Sequence, residues 1–554
     1  MRVKQRCYVL CLFSLFSFVA TGQDWEDRTG EIEDAEIVVE KDKKIELPPA
    51  SRLYEKISPL PLKNEAGQMQ FQYKDFNYQL PDLDPKIRVL TIKDPLLKKL
   101  YANYLKAGIG NFASAHLEAF INSKRNEKYA YSFHGKHASS ARGPVDKKNS
   151  GSAESFLGVN GKVFYDAFIL SGNLNYNHRK NHFYGYDRRV EALRDTIEQN
   201  FNNFYIDGVL ETRDTGSDFY FKLKPSFSHL SDHFDARESR FGVDFKSTFS
   251  LDENVGFDLS SYLSLTRRTD GTSINRNLFK VRPSVDFLAG QLKINAGLNI
   301  VYENDTIAGA NRTHVYLSGS ATYDLNDDVR VYAGLDGDIE EVNLHTLVDE
   351  NPFINAQIPL VHANKELEFY GGIKGSLLRS FTLKAGFSLA DYENMHFFIN
   401  DPLDTAKFNV LYDTGNTTRF NFFGEFGVDK NNIFRGAARF DFYAYGMDRV
   451  EEPWHLPTYK FSLLGSFNLF DKILFGSDLY TMGGIKAKNF LTDEEVELDP
   501  IVDLNFKVDY RYSDQVSMFL NFNNVLSRNY ERYYNYPARG FMLMAGITYA
   551  FDRL

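Results

Sequence analysis

The run Phe168-Ile169-Leu170-Ser171-Gly172-Asn173-Leu174-Asn175-Tyr176-Asn177 decides how this chain is read. Phe168, Leu170, Gly172, Leu174 and Tyr176 fall on one face, and Ser171, Asn173, Asn175 and Asn177 on the other. This is the period of two of a strand with one apolar and one polar side. The same split returns at Val315, Leu317, Gly319, Ala321 and Tyr323 against His314, Tyr316, Ser318, Ser320 and Thr322. It returns again at Leu504, Phe506, Val508 and Tyr510, where the opposing face of Asp503, Lys507, Asp509 and Arg511 is ionic, and near the end at Phe541, Leu543, Ala545, Ile547, Tyr549 and Phe551.

Outward from these runs, the segmentation predicts about 22 strands from about residue 98 to residue 551, at about 20 residues per strand and connection, the repeat of a membrane-spanning barrel. The connections alternate in length. Turns at 213–216, 251–254, 289–290 and 326–328 interleave with loops at 142–152, 186–200, 339–365 and 486–500, the rhythm of short periplasmic turns and long extracellular loops. The segment 407–430 reads as one long strand kinked at Thr414-Gly415-Asn416, which keeps the strand number even and both termini periplasmic.

Composition agrees. Of 554 residues, 15% are aromatic, with 48 Phe and 33 Tyr, a surplus that belongs in girdles at the two membrane interfaces. Mean hydropathy is −0.38, and no run past the N-terminus reaches the roughly 18 apolar residues of a spanning helix. In lipid every backbone polar group must pair, so a strand protein crosses only as a closed barrel. A net charge of −10 excludes nucleic acid as a partner, because phosphate neutralisation needs a basic face.

The N-terminus reads as a secretory signal over 1–22, with Arg2, Lys4 and Arg6 before the apolar run from Tyr8 to Val19, and Ala20 and Gly22 ahead of cleavage at Gln23. Cys7 and Cys11 both lie inside it, so the mature chain has no thiol for a disulfide, a metal or catalysis. Residues 23–95 form an acidic, then Pro-bearing, mostly irregular periplasmic segment, a tail or a filler of the lumen, and 96–554 the barrel. The fold class is therefore all-β: a transmembrane antiparallel barrel in the outer membrane of a Gram-negative cell, with its N-terminus periplasmic.

The chain's end resembles that of TonB-dependent receptors: Asn521-Phe522-Asn523-Asn524-Val525-Leu526, Tyr530-Glu531, Tyr536-Pro537-Ala538-Arg539-Gly540 and the strand Gly546 to Phe551. The hairpin from Phe397 to Gly415-Asn416 is similar to a recurring mid-barrel segment of that family. The resemblance covers about four-fifths of the chain and implies a 22-strand barrel that imports a nutrient. It fails before the barrel, where 23–95 is too short for the family's plug domain. Glu36-Ile37-Val38-Val39-Glu40 resembles a TonB box, the segment that pairs edge-on with TonB. Asp552-Arg553-Leu554 also extends past the terminal aromatic.

Candidate chemistry is sparse. His178 with His182, and His134 with His137, lack a third ligand, so neither a metal site nor a cofactor is expected. Gly108-Ile109-Gly110 lies in a strand pattern with no following helix, which discards a nucleotide loop. The acidic run Asp493 to Asp499 reads as a solvated loop. Arg435, Arg439 and Asp441, opposite Phe434, Gly436, Ala438, Phe440 and Phe442, should face the lumen, as should Asp503, Lys507, Asp509 and Arg511. No Ser, His and carboxylate share a strand height, so the chain does not read as an enzyme.

Two functions follow. One is a receptor-like transporter or channel for an unidentified nutrient. The other is a non-transporting scaffold subunit of an outer-membrane complex for secretion, lipoprotein handling or barrel assembly, with its lumen blocked by another protein. Partners are outer-membrane lipid and the barrel-assembly machinery during biogenesis, then TonB or a surface lipoprotein on the first reading and other complex subunits on the second.

Overall fold

The computed structural model describes residues 101–124, 126–189, 191–214, 216–305, 310–378, 380–430, 433–489 and 492–552. Glu36 to Glu40, the rest of 23–95 and the signal lie outside them. Among the described residues, 22 strands form one antiparallel sheet, from Asn103–Gly110 to Met542–Phe551. Those two strands pair with each other, Leu105 opposite Tyr549 and Ile109 opposite Ala545, and the sheet closes into a barrel. Closure leaves no unpaired edge, which is what lipid demands.

No helix among the described residues is long and apolar enough to cross a membrane. Alternation sets the wall. Leu170, Leu174 and Tyr176 are exposed on its outside, as are Val315, Leu317 and Tyr323, and Phe506 and Tyr510. A soluble protein could not leave so many large apolar side chains uncovered, and in an outer-membrane barrel they face acyl chains. Tyr129, Tyr165, Phe219, Phe249, Tyr323 and Tyr510, next to the short turns, are exposed aromatics of one girdle.

The two-level rhythm is present but incomplete. At the short-turn end the connections include 251–254, 290–291 and 327–328; at the other end they include 141–151, 183–197, 341–362, 448–458, 484–500 and 524–541. The long-loop end also holds a connection of one residue, Gly271, between the strands Val255–Asp270 and Thr272–Ala289, at φ 87°, where a side chain would be strained. Phe408–Lys430 is a single strand. The extra residue lies on this strand, at the expected kink: Glu393 pairs with Asn416 and Met395 with Asp413, so Thr414 and Gly415 face the single residue Asn394, which sits at φ 58°.

The acidic run is a correction. Glu494–Glu497 is a strand paired with Lys486–Asn489 rather than an irregular loop, while Asp493, Glu494, Glu495, Glu497 and Asp499 are all exposed to solvent. Lys486 pairs with Glu495 at 2.9 Å and with Glu452 at 2.9 Å, and Lys488 with Asp493 at 3.0 Å and with Glu451 at 3.2 Å. Two lysines thus pair with two of the run's five acidic residues, Asp493 and Glu495, and tie it to connection 448–458.

Candidate functional site

The largest buried apolar cluster lies at the long-loop end and is built by connection 341–362. It contains Leu344, Leu347, Val348, Ile354, Ile358 and Leu360 from that connection, with Phe201 and Leu230 from one part of the wall and Phe398, Phe408 and Val410 from another. The connection starts with a helix, Leu344–Glu350, whose apolar residues at i, i+3 and i+4 are buried together. Asn343 caps it: its side chain accepts from Thr346 N at 2.9 Å, and Asn343 N donates to Thr346 Oγ1 at 3.1 Å. Glu238, almost fully buried in the wall, accepts from Leu344 N at 3.0 Å, placing a carboxylate at the positive end of the helix.

Wall side chains hold the rest of the connection by its carbonyls. Arg268, 1% exposed, donates to Ile358 O at 2.6 Å and Ala356 O at 2.9 Å and pairs with Asp270 at 2.5 Å. Arg276 donates to Val342 O at 2.6 Å. Tyr412 donates to Pro359 O at 3.1 Å, and Arg179 pairs with Asp349 at 3.2 Å. His396 meets Glu350 at 3.0 Å, and Asn203 meets His345 at 2.7 Å.

Arg179 stands on Phe168–His182 and His396 on Phe381–Asn400, the fifth and fifteenth strands of a ring of 22, ten places apart where eleven is diametrically opposite. Connection 341–362 therefore reaches across the lumen. It is anchored on both sides and closes part of the mouth.

Connection 524–541 joins the seal. Tyr533 donates to Glu350 O at 2.5 Å, and Tyr536 donates to Ala406 O. The Tyr536 ring stacks on Phe353 at 3.8 Å and meets Tyr184 at 4.7 Å, while Tyr533 meets Phe408 at 5.4 Å. Burial pushes the Tyr184 and Tyr533 phenols up to about 12 and the Tyr536 phenol well above the usual range, so all three stay neutral donors.

His455 pins these pieces together. It donates from Nδ1 to Phe398 O at 3.0 Å, and its Nε2 accepts from Tyr534 N at 3.3 Å. One nitrogen must donate and the other accept, which fixes a neutral tautomer, and burial brings the imidazole down to about 3. His362 accepts from Val342 N at 3.2 Å and faces Arg276, and burial likewise holds it well below its usual range.

The residues singled out in sequence lie elsewhere. Arg439 pairs with Asp441 at 2.9 Å and Glu425 at 3.5 Å, and Arg435 pairs with Asp429 at 3.1 Å, on the face opposite Phe434, Phe440 and Phe442. Asp503 accepts from Tyr530 at 2.5 Å, Lys507 pairs with Asp509 at 2.8 Å, and Arg511 stands at the short-turn end. None of them touches connection 341–362. His134 meets Glu118 and His137 meets Ser155; His178 meets Asn202 and His182 meets Gly151 O. Among the described residues no three His, Cys, Asp or Glu converge as metal ligands. Sequence reading missed Glu238, Arg268, Arg276, Tyr412, Tyr533 and Tyr536. Glu238, Arg268 and Arg276 carried only charge at single polar-face positions, which lumen residues share, and Tyr412 and Tyr536 only their place in the receptor-like stretches.

No protein-family profile matches the chain, and no curated protein does. Solved structures do. The pyoverdine outer membrane receptor FpvA of Pseudomonas aeruginosa PAO1 aligns with a TM-score of 0.63 at 13% identity, over 83% of this chain and 79% of that one. The barrel has the TonB-dependent receptor fold. The ferric-catecholate import receptor Fiu of K12 E. coli aligns at 0.62 and 11%, over 81% and 82%, and the FrpB iron transporter of Neisseria meningitidis at 0.65 and 8%, over 82% of each. At these identities the likeness between the receptor barrels and this one is one of architecture, the 22-strand wall.

Proposed function

We propose that the protein is an outer-membrane, receptor-type transporter for a nutrient taken from the cell surface, with a mouth that its own connections close. One observation carries this reading: connection 341–362 is held across the lumen by hydrogen bonds from wall side chains to its backbone carbonyls. Such bonds can exchange for bonds to water or ligand at modest net cost, which suits a seal that opens. The scaffold reading needed another protein to block the lumen, and that need weakens when the chain supplies its own cover. The TonB-dependent receptor fold and the transport and receptor roles in the neighbours' names add support.

In this reading residues 1–22 direct export and are removed, 23–95 lie in the periplasm, and Glu36 to Glu40 couple the barrel to TonB by pairing as an added strand. The inward face bearing Arg435, Arg439, Asp441, Asp503, Lys507, Asp509 and Arg511 sets the electrostatic field of the passage. The test is growth of a deletion strain, complemented with wild type or Val38→Pro, across a panel of chelated iron and carbon sources. Wild type should restore growth on at least one source and Val38→Pro should not. Retained, energy-dependent uptake in the proline variant overturns the coupling role; a deletion without any uptake defect overturns transport.

A further inference from the structure

The short-turn rim has two unlike halves. Four successive turns, 378–380, 431–433, 470–472 and 512–515, each present one bulky apolar residue: Leu378, Ile433, Phe470 and Tyr512, all exposed, Phe470 by 87% and Leu378 by 79%. Backbone hydrogen bonds stitch each turn to the next. Asp429 N donates to Ser380 O at 2.9 Å, Asn468 N to Ile433 O at 2.7 Å and Arg511 N to Lys472 O at 2.7 Å. At about 10 Å per pair of strands, the four tips span an arc of about 30 Å. The five turns before them, from 165–167 to 327–328, hold seven carboxylates, among them Asp252, Glu253, Asp327 and Asp328, against Arg213 alone. Leu251 and Tyr165 are exposed there too, each in a turn of net negative charge. The turns of the arc are balanced, Arg379 and Lys472 against Asp471 and Asp514.

Two of the tips stand in backbone conformations that their residue types resist. The turn from Leu469 to Lys472 is closed by Lys472 N donating to Leu469 O at 3.0 Å, with Phe470 and Asp471 both at φ 56°. Asn-Gly fills such a hairpin turn without strain, and a bulky residue does not. Leu378 likewise sits at φ 57°. Phe470 and Leu378 bury little against the described residues, so the fold returns nothing for that strain. Each tip also continues the lipid-facing band. Leu377 precedes Leu378, Phe434 follows Ile433, Phe467 and Phe475 stand on the two strands that Phe470 joins, and Tyr510 lies two residues before Tyr512, all exposed on the outer face.

We propose that this arc inserts into the periplasmic leaflet of the outer membrane, with Leu378, Ile433, Phe470 and Tyr512 at the boundary of headgroups and acyl chains, while the acidic half of the rim stays in water. The tips gain there the burial that the fold does not give them. A leaflet containing anionic lipid repels the acidic half and not the balanced arc. The barrel therefore sits deeper on the side of the arc and leans in the membrane. Continuity with the lipid-facing band selects lipid over a periplasmic protein as the occupant, and the inference owes nothing to whether the barrel transports.

The test uses the full chain with Cys7→Ser and Cys11→Ser, one added cysteine and a bimane label on it, folded into phosphatidylethanolamine and phosphatidylglycerol vesicles with brominated acyl chains. Labels at Phe470→Cys and Leu378→Cys should lose most of their emission to the bromines, and labels at Asp252→Cys and Asp327→Cys should keep theirs. With the label at Ile433→Cys, adding Leu378→Asp and Phe470→Asp should relieve the quenching. Equal quenching at all four positions, or none at Phe470→Cys and Leu378→Cys, overturns the proposal. So does a blue-shifted label at Phe470→Cys that bromine leaves unquenched, since protein then covers the arc. Quenching at Ile433→Cys that survives the two aspartates overturns the tips as the cause of insertion. Heat-modifiable mobility on gels establishes that each variant is folded, and every substituted side chain is exposed at turn level.

Discussion

Arg268, on the inner wall of the barrel, donates to the carbonyl oxygen of Ile358, in the connection that crosses the lumen, at 2.6 Å. The same guanidinium holds Ala356 O and Asp270, so one side chain fixes two points of the seal and pairs with a partly buried carboxylate. Truncation to alanine leaves those three acceptors without it. Arg268→Ala should loosen connection 341–362 at a local cost of about 3 kcal/mol. Planar-bilayer conductance and sensitivity of cells to large antibiotics should both rise. Unchanged conductance would mean that the connection does not limit the passage.

The helix packing can be separated from the hydrogen bonds. Leu347 is fully buried, so Leu347→Ala should cost about 2–5 kcal/mol and strip hydrogen-exchange protection from Leu344–Glu350. Tyr533→Phe keeps the ring in the cluster and removes only the bond to Glu350 O, so its effect should be about 1 kcal/mol. A larger loss of protection in Tyr533→Phe than in Leu347→Ala would contradict this ranking.

Acid should weaken the seal. His455 is held neutral in the folded mouth, down to about 3, against an ordinary value near 6.5. The folded value is depressed, so no penalty exists above about pH 6.5, where the ring is neutral whether the seal is open or closed. Below that the open form takes up a proton that the closed form refuses, and stability falls until about pH 3, by at most about 5 kcal/mol. His362, also held low, should act in the same direction. Conductance measured from pH 7.5 to pH 4 should rise with acidity, and His455→Gln should flatten the response; a flat response in wild type would remove His455 from the seal.

The two faces of the wall should respond oppositely to charge. Leu317 is 67% exposed on the outside, so Leu317→Arg should cost about 2–4 kcal/mol near the bilayer centre. Ser318, the next residue on the inner face, should accept arginine for less than about 1 kcal/mol. Urea titrations of folding into lipid vesicles measure both, and equal costs would reverse the assignment of faces.

The wall was legible in sequence because lipid leaves a strand protein one solution. At Val315 to Tyr323 the period of two settles which side chains face acyl chains without knowledge of any neighbour, whereas Phe408–Lys430, whose pattern a bulge interrupts at Thr414 and Gly415, was read as one strand from the need for an even strand number. The hairpin at Asp493 to Asp499 was missed because its partner strand Lys486–Asn489, whose lysines pair with Asp493 and Glu495, lies across a turn and carries no pattern of its own.

Alternation alone thus determined the barrel, its closure and its outer face, since each follows from local period and the obligation to pair backbone groups in lipid. Only the tertiary structure decided how the mouth is sealed. Arg268 and Ile358 lie 90 residues apart, and Tyr533 and Glu350 183 apart, so their meeting depends on ring closure bringing distant strands and connections to one height. Hydrogen bonds to backbone carbonyls leave no trace in residue type on the accepting side, and that is the physical reason the seal could not be read from the chain.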